Sequence, residues 1–131
     1  VRKFKVNRII HTAAVLAGVA QKNLKLAFKV NCEGTLNVLE AARLENVSRV
    51  VYTSTKGTYG PALGVHGPPD YKPVTEDHPC NPKGIYGITK LLGEIYGLTY
   101  AQQYGLDFSI EVSRSLWTWK TVRKTRRTSS S

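Results

Sequence analysis

Three short runs rich in β-branched residues, at positions 6–10, 49–53 and 107–112, alternate with two stretches of helical periodicity, and that alternation leaves few folds open. The first helical stretch opens at Asn23, a side chain suited to capping a helix N-terminus. It continues through Ala27, Val30, Gly34, Val38 and Ala41 at steps of three and four, and ends near Ala42 and Arg43. The second runs over 85–104 and stops at Gly105. Strand, helix, strand, long loop, helix, strand predicts right-handed crossovers and a parallel three-stranded sheet with helices on its faces. This is half of a doubly wound α/β fold.

Two departures from ordinary helix and loop chemistry stand out. Gly87, Gly93 and Gly97 lie inside the second helix, where each costs up to about 1 kcal/mol relative to alanine. They point to close packing or to room for a site, unless the helix simply tolerates them. Residues 55–84 are punctuated by glycine and proline, including Gly67-Pro-Pro-Asp70, and carry no periodicity. A loop of that length inside a compact domain is uncommon unless it is functional or disordered.

Charge narrows the partners. The net charge of +10 comes from the ends: residues 1–8 carry Arg2, Lys3, Lys5 and Arg8, and residues 114–131 carry six basic groups, neither segment with an acid. Residues 9–113 hold nine charges of each sign. A neutral body argues against a specific nucleic-acid surface, and the basic ends read as solvated, with 113–131 expected to be a disordered tail. No apolar run is long enough for a membrane span and no secretory leader pattern is visible, so the expected compartment is the cytoplasm. Cys32 and Cys80 stand alone, without the spacing of a zinc or redox pair. His66 and His78 fall in the long loop and are expected to be solvated, and no second histidine or carboxylate sits at metal-ligand spacing from His11.

Chemistry concentrates on Tyr86 and Lys90. Side chains four residues apart share one helix face, so the ammonium can favour the phenolate of a tyrosine that otherwise ionises near ~10. The pair alone is weak: seven tyrosines and eleven lysines in 131 residues give roughly 0.6 chance occurrences. Its neighbourhood adds the specificity. In chain order come Ile9-Ile-His-Thr-Ala-Ala14, Val30-Asn-Cys-Glu-Gly-Thr-Leu-Asn-Val-Leu-Glu-Ala-Ala42, Val50-Val-Tyr-Thr-Ser-Thr55 followed by Tyr59 and Gly60, and Tyr86-Gly-Ile-Thr-Lys90.

With these landmarks, residues 6–112 resemble the extended short-chain dehydrogenase/reductases, specifically the NAD-dependent epimerase/dehydratase group. The resemblance implies a partial Rossmann-like NAD(P)-binding domain over residues 1–112, acting on a hydroxyl of a nucleotide-sugar-like substrate. It implies Tyr86 as general base and acid, Lys90 as the group that lowers its pKa and holds the nicotinamide ribose, Thr55 as the hydroxyl that positions substrate, and Asn31 as a support for the site. His11, Thr12, Ala13, Ala14, Thr53 and Ser54, together with Tyr86 and Lys90, would line NAD or NADP. Alternatives remain open at this level: Ser54 could replace Thr55, either could merely cap a strand end, and Asn31 could bond locally within its helix.

The family's opening unit, a strand followed by a glycine-rich turn and a helix that holds the pyrophosphate, has no counterpart here, since Gly57, Gly60 and Gly64 follow the middle strand instead. The chain is therefore expected to be an internal segment of a longer enzyme, with weak dinucleotide binding and impaired turnover. An exposed sheet edge should make it self-associate. The rival expectation is a non-enzymatic remnant that acts by association or partner binding.

Overall fold

The computed structural model describes residues 1–113. Three parallel strands, β1 (Arg8–His11), β2 (Arg49–Thr55) and β3 (Phe108–Ser113), form one sheet in the order β1-β2-β3. Arg8 pairs with Arg49 and His11 with Tyr52, while Val50 pairs with Phe108 and Ser54 with Val112. This is the partial Rossmann-like α/β arrangement expected. The strands begin or end one to two residues away from the sequence expectation, and β2 reaches Thr55, so the candidate Ser54 and Thr55 lie on the strand itself.

Between β1 and β2 the chain forms α1 (Ala17–Lys22), α2 (Leu24–Ala27), a π-helical stretch Phe28–Glu33, and α3 (Gly34–Leu44). Asn23 caps α2 as expected, its side-chain oxygen accepting from the Leu26 amide at 3.0 Å. The anticipated stripe of Val30, Gly34, Val38 and Ala41 is not the buried one. After Ala27, the buried residues are Asn31, Cys32, Thr35, Leu39 and Ala42, one position later. A π-turn inserts one residue per turn and so rotates everything after it, which no count of threes and fours anticipates.

After β2, two short 3-10 turns at Lys56–Thr58 and Gly64–His66 interrupt the long loop before α4 (Ile85–Tyr104), which ends at Gly105 in the left-handed conformation, φ 69°. His66 and His78 depart from the expectation of full solvation: both are half-buried, with their rings edge-on at 4.9 Å, and the Lys72 carbonyl lies 2.9 Å from His66 Nδ1.

The core joins Leu39 and Ala42 of α3 to Val50, Tyr52, Phe108 and Ile110 of the sheet, with Tyr96, Tyr100 and Ala101 of α4 packed against them. By register, the strand members of this cluster share one sheet face. The two long helices, α3 and α4, cover the same face. The reason is topological, because a strand order that never reverses, joined by crossovers of one hand, carries both connections over one side. The glycines of α4 are packing residues. A β-carbon at Gly93 would overlap the Tyr52 phenol, and one at Gly97 would overlap the Phe108 ring.

Candidate active site

In a parallel sheet, ligands collect beyond the carboxyl ends of the strands. That edge is where β1 ends in His11, β2 ends in Thr53, Ser54 and Thr55, and α4 begins. The two strand ends are tied together, since Thr53 Oγ1 donates to the His11 carbonyl at 3.2 Å. The turn after β2 is pressed onto α4: a β-carbon at Gly87 would sit 2.5 Å from the Gly57 carbonyl oxygen. Glycine at 87 therefore lets the turn next to Thr55 meet the turn that carries Tyr86.

Asn31 holds the opposite wall. Its side-chain oxygen accepts from the Val15 amide at 2.7 Å, and its Nδ2 donates to the Val15 carbonyl and to Thr89 Oγ1, each at 3.0 Å. Thr89 Oγ1 in turn donates to the Tyr86 carbonyl at 2.9 Å. One buried side chain thus fixes the segment after β1 against the first turn of α4. These bonds are long-range, so the alternative of a locally satisfied helix asparagine does not describe it. Thr12 and Ala13 are exposed and Ala14 half-buried on that segment, a shelf of small residues at the strand ends.

Thr55 is half-buried and its Oγ1 accepts from the Gly57 amide at 3.2 Å, which caps the turn while leaving its own proton to donate. Ser54 points to the other side of β2 and donates to Glu94 of α4 in a short bond, so it is bonded to the helix and is not interchangeable with Thr55. His11 is buried with Nε2 3.0 Å from Thr35 Oγ1. Burial first, and then the nearby Lys90 charge, hold its pKa below the ordinary histidine value.

Tyr86 and Lys90 lie on one face at the start of α4, yet their electrostatics differ from the sequence expectation. Burial pushes the Tyr86 phenol above its usual value, and Lys90 is not among the causes. The Lys90 ammonium instead lies over the Tyr52 ring, 3.9 Å from its centroid. Lys90 is 2% exposed, and burial lowers its pKa to about 8, against a smaller raising influence from Glu94. Sequence reasoning singled out neither Tyr52, Thr89 nor Glu94. Glu94 was the findable one, since Tyr86, Lys90 and Glu94 repeat at intervals of four.

Residues 1–112 match the model of the NAD dependent epimerase/dehydratase family. The chain belongs to that family. Among its relatives, a putative UDP-glucose 4-epimerase of Methanocaldococcus jannaschii is 38% identical over 81 residues, covering 62% of the chain and 25% of the relative. The mitochondrial L-threonine 3-dehydrogenase of Sus scrofa is 36% identical over 106 residues, covering 79% and 26% respectively. The crystal structure of UDP-glucose 4-epimerase from Brucella ovis in complex with NAD superposes with a TM-score of 0.75 at 29% identity, covering 85% of the chain and 32% of that structure. The chain therefore spans about a quarter to a third of the proteins it matches. No helix among the described residues is long and apolar enough to cross a membrane.

Proposed function

We propose that this chain carries the nicotinamide side of an NAD-dependent site that oxidises or reduces a hydroxyl-bearing carbon of a nucleotide-sugar-like substrate. The observation that carries the reading is the meeting of the Thr55 turn with the Tyr86 turn across Gly57 and Gly87. That backbone contact supports a reading in which the Thr55 hydroxyl, the Tyr86 phenol and the Lys90 ammonium act together at one edge of the parallel sheet. The UDP-glucose 4-epimerases among the relatives support the substrate class. The L-threonine 3-dehydrogenases among the relatives have a different named substrate, and oxidation at a hydroxyl-bearing carbon is the chemistry common to both names.

The donor set suits one half of the cofactor. The small, exposed residues 12–14 and the Lys90 ammonium would hold the nicotinamide and its ribose, whereas no glycine turn opens a helix for the pyrophosphate among the described residues. NAD, when bound, supplies the hydride acceptor or donor. In this assignment Tyr86 takes the hydroxyl proton at its phenolic oxygen and returns it, with burial favouring the protonated phenol between turnovers. Thr55 orients the substrate oxygen, and Asn31, through Val15 and Thr89, keeps the two walls in register.

Titrating the chain with NADH while following nicotinamide fluorescence tests this. Saturable weak binding is expected, loosened about tenfold or more in a Tyr86→Phe, Lys90→Ala double variant, as for loss of one charge-assisted contact and one hydroxyl. No binding by a sample whose circular dichroism shows it folded would overturn the reading.

A further inference from the structure

Lys90 poses a physical problem that its assigned role leaves open. An ammonium that is 2% exposed pays heavily for lost water unless something replaces the hydration. The titratable groups that interact with it electrostatically are His11, whose ring is pushed towards neutrality, and Glu94, one turn along α4 and bonded to Ser54. What lies directly beneath the ammonium is the face of Tyr52.

The fit of Tyr52 depends on several independent features. It alternates inward on β2 and is 1% exposed. Its hydroxyl donates to the backbone carbonyl of Lys90 itself at 3.3 Å. Its phenol occupies the space left by the missing side chain of Gly93. Its ring is braced by Phe108 at 6.1 Å and His11 at 5.7 Å between centroids. A cation over an aromatic face is attracted by the ring quadrupole, the more strongly when water is excluded. Phenylalanine or leucine would fill most of the same volume, but only an aromatic ring supplies the face.

We propose that Tyr52 is a positioning residue for Lys90, its ring face seating the ammonium while its hydroxyl fixes the helix turn from which that side chain departs. The seat keeps Lys90 charged at neutral pH inside a dry site, one turn from Tyr86, before any dinucleotide arrives. This deepens the NAD-dependent reading and rests on it for its purpose, though the seat itself is measurable without cofactor.

The test is the titration of the Lys90 side chain by nuclear magnetic resonance in protein labelled with carbon-13 lysine, with Lys90→Arg giving the assignment. Tyr52→Phe retains the face and should titrate within a few tenths of a pH unit of the wild type. Tyr52→Leu removes it and should titrate about one pH unit lower, a roughly tenfold change in acidity constant. A Leu variant that titrates like the wild type, or a Phe variant that falls as far as Leu, overturns the seat. Should Tyr52→Leu fail to fold, a site-specific tetrafluorophenylalanine at position 52 keeps the shape and withdraws the negative face. The same fall is then expected, and an unchanged value overturns the proposal. Absence of NADH binding alongside the expected Lys90 shifts would sink the cofactor reading and leave the seat. Normal NADH binding with unresponsive titration would sink the seat alone.

Discussion

Lys90 sets its proposed role against stability within a single side chain. Its pKa in the fold, about 8, lies below its ordinary 10.5, so folding at neutral pH works against the proton it carries. Because the group is almost wholly buried, the difference corresponds to about 3 kcal/mol. As pH rises above 8 the folded state releases this proton while the unfolded state keeps it, and stability from this group increases towards 10.5. Cys32, whose thiol burial holds protonated, opposes the trend near pH 9 and is common to any Lys90 variant. Lys90→Met should therefore exceed the wild type by up to about 3 kcal/mol at pH 7, with the gap narrowing by about 1 kcal/mol at pH 9. Urea unfolding at both pH values measures this, and a gap that stays constant would show that Lys90 titrates normally. At this scale the sequence made the chemical groups legible and their orientation not. Tyr86 and Lys90 share a face as their spacing requires, but which ring the ammonium meets depends on Tyr52, thirty-eight residues earlier in the chain and invisible to any local pattern.

At the scale of elements, α4 was legible because its signals are local: twenty residues of helical pattern and a glycine stop, observed as Ile85–Tyr104 with Gly105 at φ 69°. Helix α1 was missed because it has six residues and Leu16 offers no capping side chain. The π-turn at Phe28–Glu33 was missed because periodicity counting assumes one pitch, yet that turn is what brings Asn31 to Val15 and Thr89. The glycines give a direct contrast between propensity and packing. Gly18 in α1 has nothing within 4 Å of where a β-carbon would stand, so Gly18→Ala should stabilise by up to about 1 kcal/mol. Gly93→Ala and Gly97→Ala make the same propensity gain and lose more, because the new methyl overlaps Tyr52 or Phe108, rings held in the core. Each should destabilise by about 1–3 kcal/mol. Urea midpoints for the three variants decide the matter: stabilisation by alanine at 93 or 97 would mean that the helix and sheet are free to separate there.

For the whole molecule, the one-sided layering has a consequence that length and composition alone do not reveal. With α3 and α4 on the same face, the register places Ile10, Val51 and Thr53 on the other, and Ile10 is 71% exposed at an edge strand. An edge strand offers unpaired amides and carbonyls to any similar chain, and a β-branched apolar residue on it favours pairing over solvation. Exposed apolar side chains also run along the helices, among them Leu24, Phe28, Ile88 and Ile95. We expect the chain to be a concentration-dependent oligomer in sedimentation velocity at tens of micromolar. Ile10→Lys should shift the distribution towards monomer, since a lysine on an edge strand opposes pairing, with little effect on the fold because the side chain already faces water. If association is unchanged in Ile10→Lys but lost when Ile88 and Ile95 are both made lysine, the helical surface and not the strand edge is the contact. A chain that sediments as a single monomer at 100 μM, on the order of the highest concentrations at which weak association is normally sought, would remove self-association from its behaviour altogether.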